Sequence, residues 1–376
     1  MPQARDLRPP WRAPLLALGF ASLIAGIGAG LARLGWSVPG AGLAYVHGPL
    51  MASGFFGTVI SLERAVALRR RWAYAAPLLS GMATLASLVA APSLFAPALA
   101  TLGSLVMVAA SASVHARQRE LFTLTLALGA LAWTAGNLVW LAGASIAVAV
   151  PWWIAFLVLT IAGERLELSR LLPPSPAARR IFALLLLAIL AAATLSMIAY
   201  APGTTLLGLA LAALAAWLMR QDIARRTIRS RGLTRYIAAC LLSGYVWLAV
   251  AGVAMVVAGG LGVGGASHDA ALHAVMLGFV FSMVFGHAPI IIPSVIGVAI
   301  PYSRWFYAPL ALLHASLLLR VAGDALADAQ WRALGGMLNA AALAAFILGT
   351  LIAALRGRTR AHGPRGRDTA SISRPT

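Results

Sequence analysis

The stretch HDAALHAVMLGFVFSMVFGHAPIIIPSVIG, residues 268–297, carries one acid, no arginine and three histidines in an otherwise apolar run. At 1.5 Å of rise per residue such a run, wound as a helix, exceeds the roughly 30 Å of hydrocarbon in a bilayer. Similar runs fill the chain on both sides of it. Only 10% of the 376 residues are charged, against about 25% in a soluble domain, so water cannot be the main solvent of this surface. The apolar runs predict an all-α membrane bundle of twelve helices, over 12–33, 43–68, 73–91, 94–115, 120–143, 148–170, 180–200, 203–220, 234–259, 268–297, 304–321 and 330–355. Proline and glycine punctuate most of the breaks, among them Pro39–Gly40, Pro92, Pro151, Pro173–Pro174, Pro202–Gly203 and Gly259–Gly260.

Charge tests this count. All 29 basic residues are arginine, and 26 of them fall in alternate connections or at the termini, from Arg5, Arg8 and Arg12 through the Arg69–Arg71 cluster to the six from Arg356 onward. Positive charge stays on the cytoplasmic side, so both ends are expected there, in a bacterial inner membrane. Three arginines break the alternation: Arg33, Arg320 and Arg332. The expected organisation is a cytoplasmic segment over 1–11, a transmembrane domain over 12–355 and a basic, disordered tail over 356–376.

Despite a net charge of +19, the arginines form no single basic face, which argues against nucleic acid as a partner and leaves membrane lipid. The single cysteine, Cys240, excludes an intrachain disulfide and a CxxCH haem attachment. No Walker A, GxSxG, HExxH or dinucleotide fingerprint is present.

Ionisable groups inside a membrane are costly, which directs attention to the histidines. By helix depth His47, His273 and His314 sit at one level in the outer third of the bundle. Neutral imidazole suits haem iron or copper, and Asp269, one turn before His273, is placed either to accept from its ring or to serve as an exposed acid at a helix start. His287 follows His273 by fourteen residues, on nearly the same face and deeper. It is either a second metal or haem ligand or the donor to a carbonyl freed by Pro289 and Pro293, which are expected to kink that helix. Glu63, Glu164 and Glu167 read as ion-pair partners of neighbouring arginines, and Asn137 as an interhelical hydrogen bonder.

Two passages resemble known families. LLSGYVWLAVAG (Leu241–Gly252), followed by ALHAVMLGFVFSM (Ala271–Met283), resembles the GYxWL and LHAxxxGxxxxM segments of the NnrS family, twelve-helix bacterial haem proteins of the nitric oxide response. HGPLMASGFFG (His47–Gly57) is similar to the H-G-x-x-M stretch in the second helix of haem-copper oxidase subunit I, whose twelve helices form three four-helix arcs. The resemblance implies a non-covalent b-type haem held by His47 and His273, with His268 as a substitute for the latter, and nitric oxide as a small gaseous ligand. An arginine such as Arg320 or Arg332 is expected to pair the haem propionates, and His314 or His287 to offer a site for copper or another second metal. Ser243 stands where NnrS proteins often have histidine, and the sixth and seventh helices lack histidine altogether, so the oxidase copper centre is not expected. The competing expectation is a secondary transporter, a class that also uses twelve helices; no two-fold repeat in hydropathy supports it. A copper permease would need the CxxC or Met clusters that this chain lacks. Any redox partner is left open by the sequence.

Overall fold

In the computed structural model, which describes residues 6–39, 41–89, 93–169 and 174–362, twelve helices are long and apolar enough to cross a membrane. They are α1 (Pro9–Arg33), α2 (Ala41–Leu68), α3 (Arg71–Val89), α4 (Phe95–Arg117), α5 (Leu121–Leu141), α6 (Ile146–Leu168), α7 (Pro176–Leu195), α8 (Tyr200–Gln221), α9 (Gly232–Val257), α10 (Ala266–Ile296), α11 (Arg304–Ala325) and α12 (Ala329–Gly357). The protein is an all-α, multi-pass membrane bundle. In hydrocarbon every backbone polar group must be satisfied within its own segment, and helices do this without help from neighbours.

Local chemistry sets the ends. Ser145 and Ser175 cap α6 and α7 by accepting from Ala147 N (3.4 Å) and Ala178 N (3.2 Å), and Pro176 begins α7, where its missing N–H costs nothing. Gly259 (φ 70°), Gly260 (φ 134°) and Gly297 (φ 71°) end α9 and α10 in backbone conformations that favour glycine. Pro202 stands in the first turn of α8, where its missing N–H has no intrahelical acceptor, and Pro151 stands inside α6 rather than between helices. Pro289 and Pro293 do not break α10, which continues as α-helix over Ser282–Ile296. The last helix runs on to His362, seven residues into the segment read as a disordered tail; residues 363–376 lie outside the described ones, as do Gly40, Pro92, Arg170 and Pro173.

The spans alternate in direction. The connections after α2, α4 and α8, with their arginines, therefore lie at one end, the arginine-rich end, and those after α1, α5, α9 and α11 at the other, the histidine end. α6 is the most enclosed span, its side chains from Ile154 to Thr160 all buried, whereas Ile24, Leu184 and Leu355 present apolar surface outward to lipid. Between α8 and α9 the backbones nearly touch. A Cβ on Gly208 would lie 2.8 Å from the Gly252 carbonyl oxygen, and one on Gly252 would lie 2.7 Å from Ala212 N. Small residues permit such approach where apolar burial gives no net drive between helices in lipid. Gly252→Leu is accordingly expected to destabilise the fold by at least the roughly 1–3 kcal/mol of an overpacked core. A thermal-stability series in detergent, with Gly252→Ala as an intermediate, checks this; unchanged stability of the leucine variant would contradict the packing.

Two helices contain a π-helical segment. In α2 a 3-10 segment (Ala41–Val46) leads into one α-helical turn (His47–Pro49) and then a π-helical segment (Leu50–Phe56). In α10 the α-helix Ala266–His273 gives way to a π-helical segment, Ala274–Phe281. Wide turns of this kind recur at functional sites.

Candidate functional site

Each π-helical segment begins just after a histidine, and those two histidines meet. The rings of His47 and His273 lie 6.4 Å apart, centre to centre, with their planes 26° from parallel. His47 Nδ1 donates to the Gly26 carbonyl at 2.8 Å, and His273 Nδ1 donates to the Asp269 carbonyl at 2.9 Å, with the Asp269 carboxylate at 3.2 Å. Those bonds fix both tautomers and leave Nε2 of each ring as the nitrogen with a free lone pair. Gly30 makes room for the first ring, since a Cβ there would lie 2.8 Å from His47 Cε1.

The centre-to-centre spacing equals that of two imidazoles bound to one metal ion. Metal–imidazole bonds of about 2.0–2.1 Å, with each nitrogen roughly 1.1 Å from its ring centre given ring bonds near 1.33 Å, put the two centres about 6.3 Å apart. No group of three or more His, Cys, Asp or Glu side chains suited to a metal ion occurs among the described residues. A metal held by this pair would take its remaining ligands from a non-protein group, as a tetrapyrrole supplies them.

Space is provided. A cavity of about 460 Å³ opens at the histidine end, within the usual range for small-molecule and cofactor sites. Ile27, Met51, Phe56, Met276, Leu277 and Phe281 give it apolar walls. Phe55, Phe56 and Phe281 pack ring on ring beneath it, with centre separations of 4.8, 5.3 and 5.8 Å. Charge collects along its rim. All three arginines that break the charge alternation, Arg33, Arg320 and Arg332, line this one cavity.

Their pairing differs. Arg320 is buried and makes two 2.7 Å bonds to the Asp269 carboxylate, so its charge is already matched. Arg332 stands 3.7 Å from Asp324. Arg33 donates only to the Ala44 carbonyl, at 3.4 Å, and has no carboxylate within ion-pair distance among the described residues. Arg33 is therefore the cavity cation with no acid partner among the described residues, and Arg332 the one with a single, long contact to an acid. Sequence reasoning did not select Arg33, although its place on the wrong side of the charge pattern was the signal.

Asp269 is a half-buried acid in the first turn of its helix, held between His273 and Arg320 rather than exposed. His268 reaches the rim of the cavity, its Nδ1 donating to the Gly262 carbonyl at 3.2 Å. The structure brings neither of the other two candidates to the site. His314 lies between α9 and α11, where its Nδ1 accepts from Trp247 Nε1 at 2.9 Å. His287 has both nitrogens engaged: Nδ1 donates to the Met283 carbonyl at 2.6 Å and Nε2 accepts from Arg165 at 2.9 Å, leaving no lone pair for a metal. Arg165 thus pairs with a histidine, and neither Glu63 nor Glu164 lies within ion-pair distance of a described arginine.

Comparison with known proteins adds a family to this geometry. The family profile described as a domain of unknown function, DUF8744, matches residues 12–355, the whole of the twelve-span region but for its edges. The chain belongs to the DUF8744 family. No curated protein and no solved structure matches it.

Proposed function

We propose that this DUF8744 protein is a haem protein of the bacterial cytoplasmic membrane, with both termini in the cytoplasm and the haem site in the outer half. Its role is in electron transfer linked to the response to nitric oxide. The observation that carries the reading is the His47–His273 pair, with matching tautomers at bis-imidazole spacing beside a cavity of cofactor size. The NnrS-like passages around Tyr245–Leu248 and His273 support the nitric oxide context. The alternating arginines support the orientation.

The residues present fit a b-type haem. His47 and His273 would hold the iron from two distant helices, each ring fixed by the hydrogen bond at its other nitrogen. Arg33 and Arg332 would neutralise the propionates, as guanidinium matches carboxylate geometry. Met51, Phe56 and Phe281 keep water from the buried side of the cavity. When bound, haem supplies a one-electron couple and an affinity for diatomic gases. Two protein ligands favour the first use, because a gas would have to displace a histidine.

The test is the absorption spectrum of protein purified in mild detergent after expression with haem available. The expected result is a Soret band with the sharp α and β bands of low-spin ferrous haem on reduction. A preparation without a Soret band would refute the proposal.

A further inference from the structure

A π-helical turn holds one residue more than an α-helical turn, so its relaxation to α geometry would rotate everything before it by about 100° around the helix axis. His47 lies three residues before the π-helical segment of α2, so that rotation would sweep its ring out of the cavity. Something must hold the wide turn in place. Ser22 Oγ donates to the Leu50 carbonyl at 2.8 Å, and Ser80 Oγ donates to the Ser53 carbonyl, so two carbonyls of the segment are held from α1 and α3.

The side chain of Ser53, within the same turn, is held from the opposite side. Ser53 Oγ donates to Asn137 Oδ1 at 2.6 Å and accepts from Trp133 Nε1 at 3.0 Å. Trp153 Nε1 donates to the same Asn137 oxygen at 3.2 Å, and Asn137 Nδ2 donates to the Ala100 carbonyl at 3.1 Å. Ser53, Trp133, Asn137 and Trp153 are all at most 1% exposed. Trp153 also forms part of the cavity wall and packs near Gly48, the residue after His47. The network therefore holds α2 within the turn, at Ser53, and just before it, beside Gly48, and it converges on one side chain.

From this convergence we infer that Asn137 is a positioning residue for the axial ligand: through Ser53 and Trp153 it holds the π-helical turn that aims His47 into the cavity. The inference rests on the haem reading. It goes beyond the general role of a buried asparagine as a tie between helices, because it ties this residue to the direction of one imidazole.

Electron paramagnetic resonance of the ferric protein tests it, since the low-spin signal of a bis-histidine haem depends on the angle between the two ring planes. The wild type, with planes 26° apart, is expected to give the rhombic signal of near-parallel rings. Asn137→Leu keeps the size but removes every hydrogen bond, and is expected to lose most of that signal to a high-spin or strongly anisotropic form. Asn137→Asp is expected to keep it, because a buried carboxylic acid in its neutral form supplies the same acceptor and one donor. Should Asn137→Leu fail to give folded protein, Ser53→Ala makes the decision, with the same loss expected. Wild-type signals in both Asn137→Leu and Ser53→Ala, or in Ser53→Ala alone if the leucine variant does not fold, overturn the inference. So does loss of the signal in Asn137→Asp, once folding is verified by size exclusion. A wild type without any bis-histidine signal refutes the haem reading itself, which is a separate and recognisable failure.

Discussion

His47→Ala and His273→Ala are each expected to remove the low-spin haem spectrum and to lower haem retention by more than about 100-fold, beyond the roughly 10–100-fold usual for partners outside the coordination sphere. The two rings come from α2 and α10, more than two hundred residues apart in the chain, and their centres stand 6.4 Å apart. His268 sits at the rim of the same cavity with its Nδ1 bound to the Gly262 carbonyl. His287 is held by Arg165 and His314 by Trp247, so alanine at either is expected to leave the spectrum unchanged. Haem content by the pyridine haemochrome method, measured on all four single variants, separates these cases. A low-spin spectrum that survives in His47→Ala or His273→Ala would mean that the pair does not bind the iron.

The second large effect is on stability. Arg320 and Asp269 have side chains 8% and 19% exposed and share two 2.7 Å bonds, an ion pair largely removed from water. Deleting one member strands the other charge in a low-dielectric setting, a loss of about 3–5 kcal/mol. Asp269→Leu and Arg320→Leu are each expected to lower the thermal midpoint strongly, whereas the double variant recovers most of the loss, because an apolar pair of similar volume needs no compensation. Coupling of this sign is the mark of a buried pair, and strictly additive losses would show that the two side chains act independently. Asp269→Leu is also expected to weaken haem retention by roughly 10–100-fold, since it removes the carboxylate beside His273 Nδ1, while Arg320→Leu leaves that contact in place. The two single variants thus separate the stabilising role of Asp269 from its orienting one.

Much of the fold was legible from hydropathy. Every span falls within a few residues of the run that predicted it, because approximately 30 Å of hydrocarbon demands a helix of nearly fixed length and tolerates few charges. The exceptions are instructive. Pro202 looked like a break but begins a helix, and Pro151 stands inside one, because composition does not record whether a proline falls early in a helix or where neighbours satisfy the freed carbonyl. The three off-pattern arginines were visible as exceptions, yet only their convergence on one cavity gave them a common purpose.

The amino-acid order alone determined how deep each histidine lies, since depth follows from counting residues along a helix at 1.5 Å each. It placed His47, His273 and His314 at one level, and there its power ended. Rotation about the helix axis and the choice of neighbour were decided by the tertiary structure, which turned the first two rings toward each other and the third toward Trp247. The reason lies in the solvent. In lipid both the packed and the outer faces of a helix are apolar, so polarity carries little record of which face meets which partner, and close packing and buried hydrogen bonds such as those of Asn137 make that choice instead.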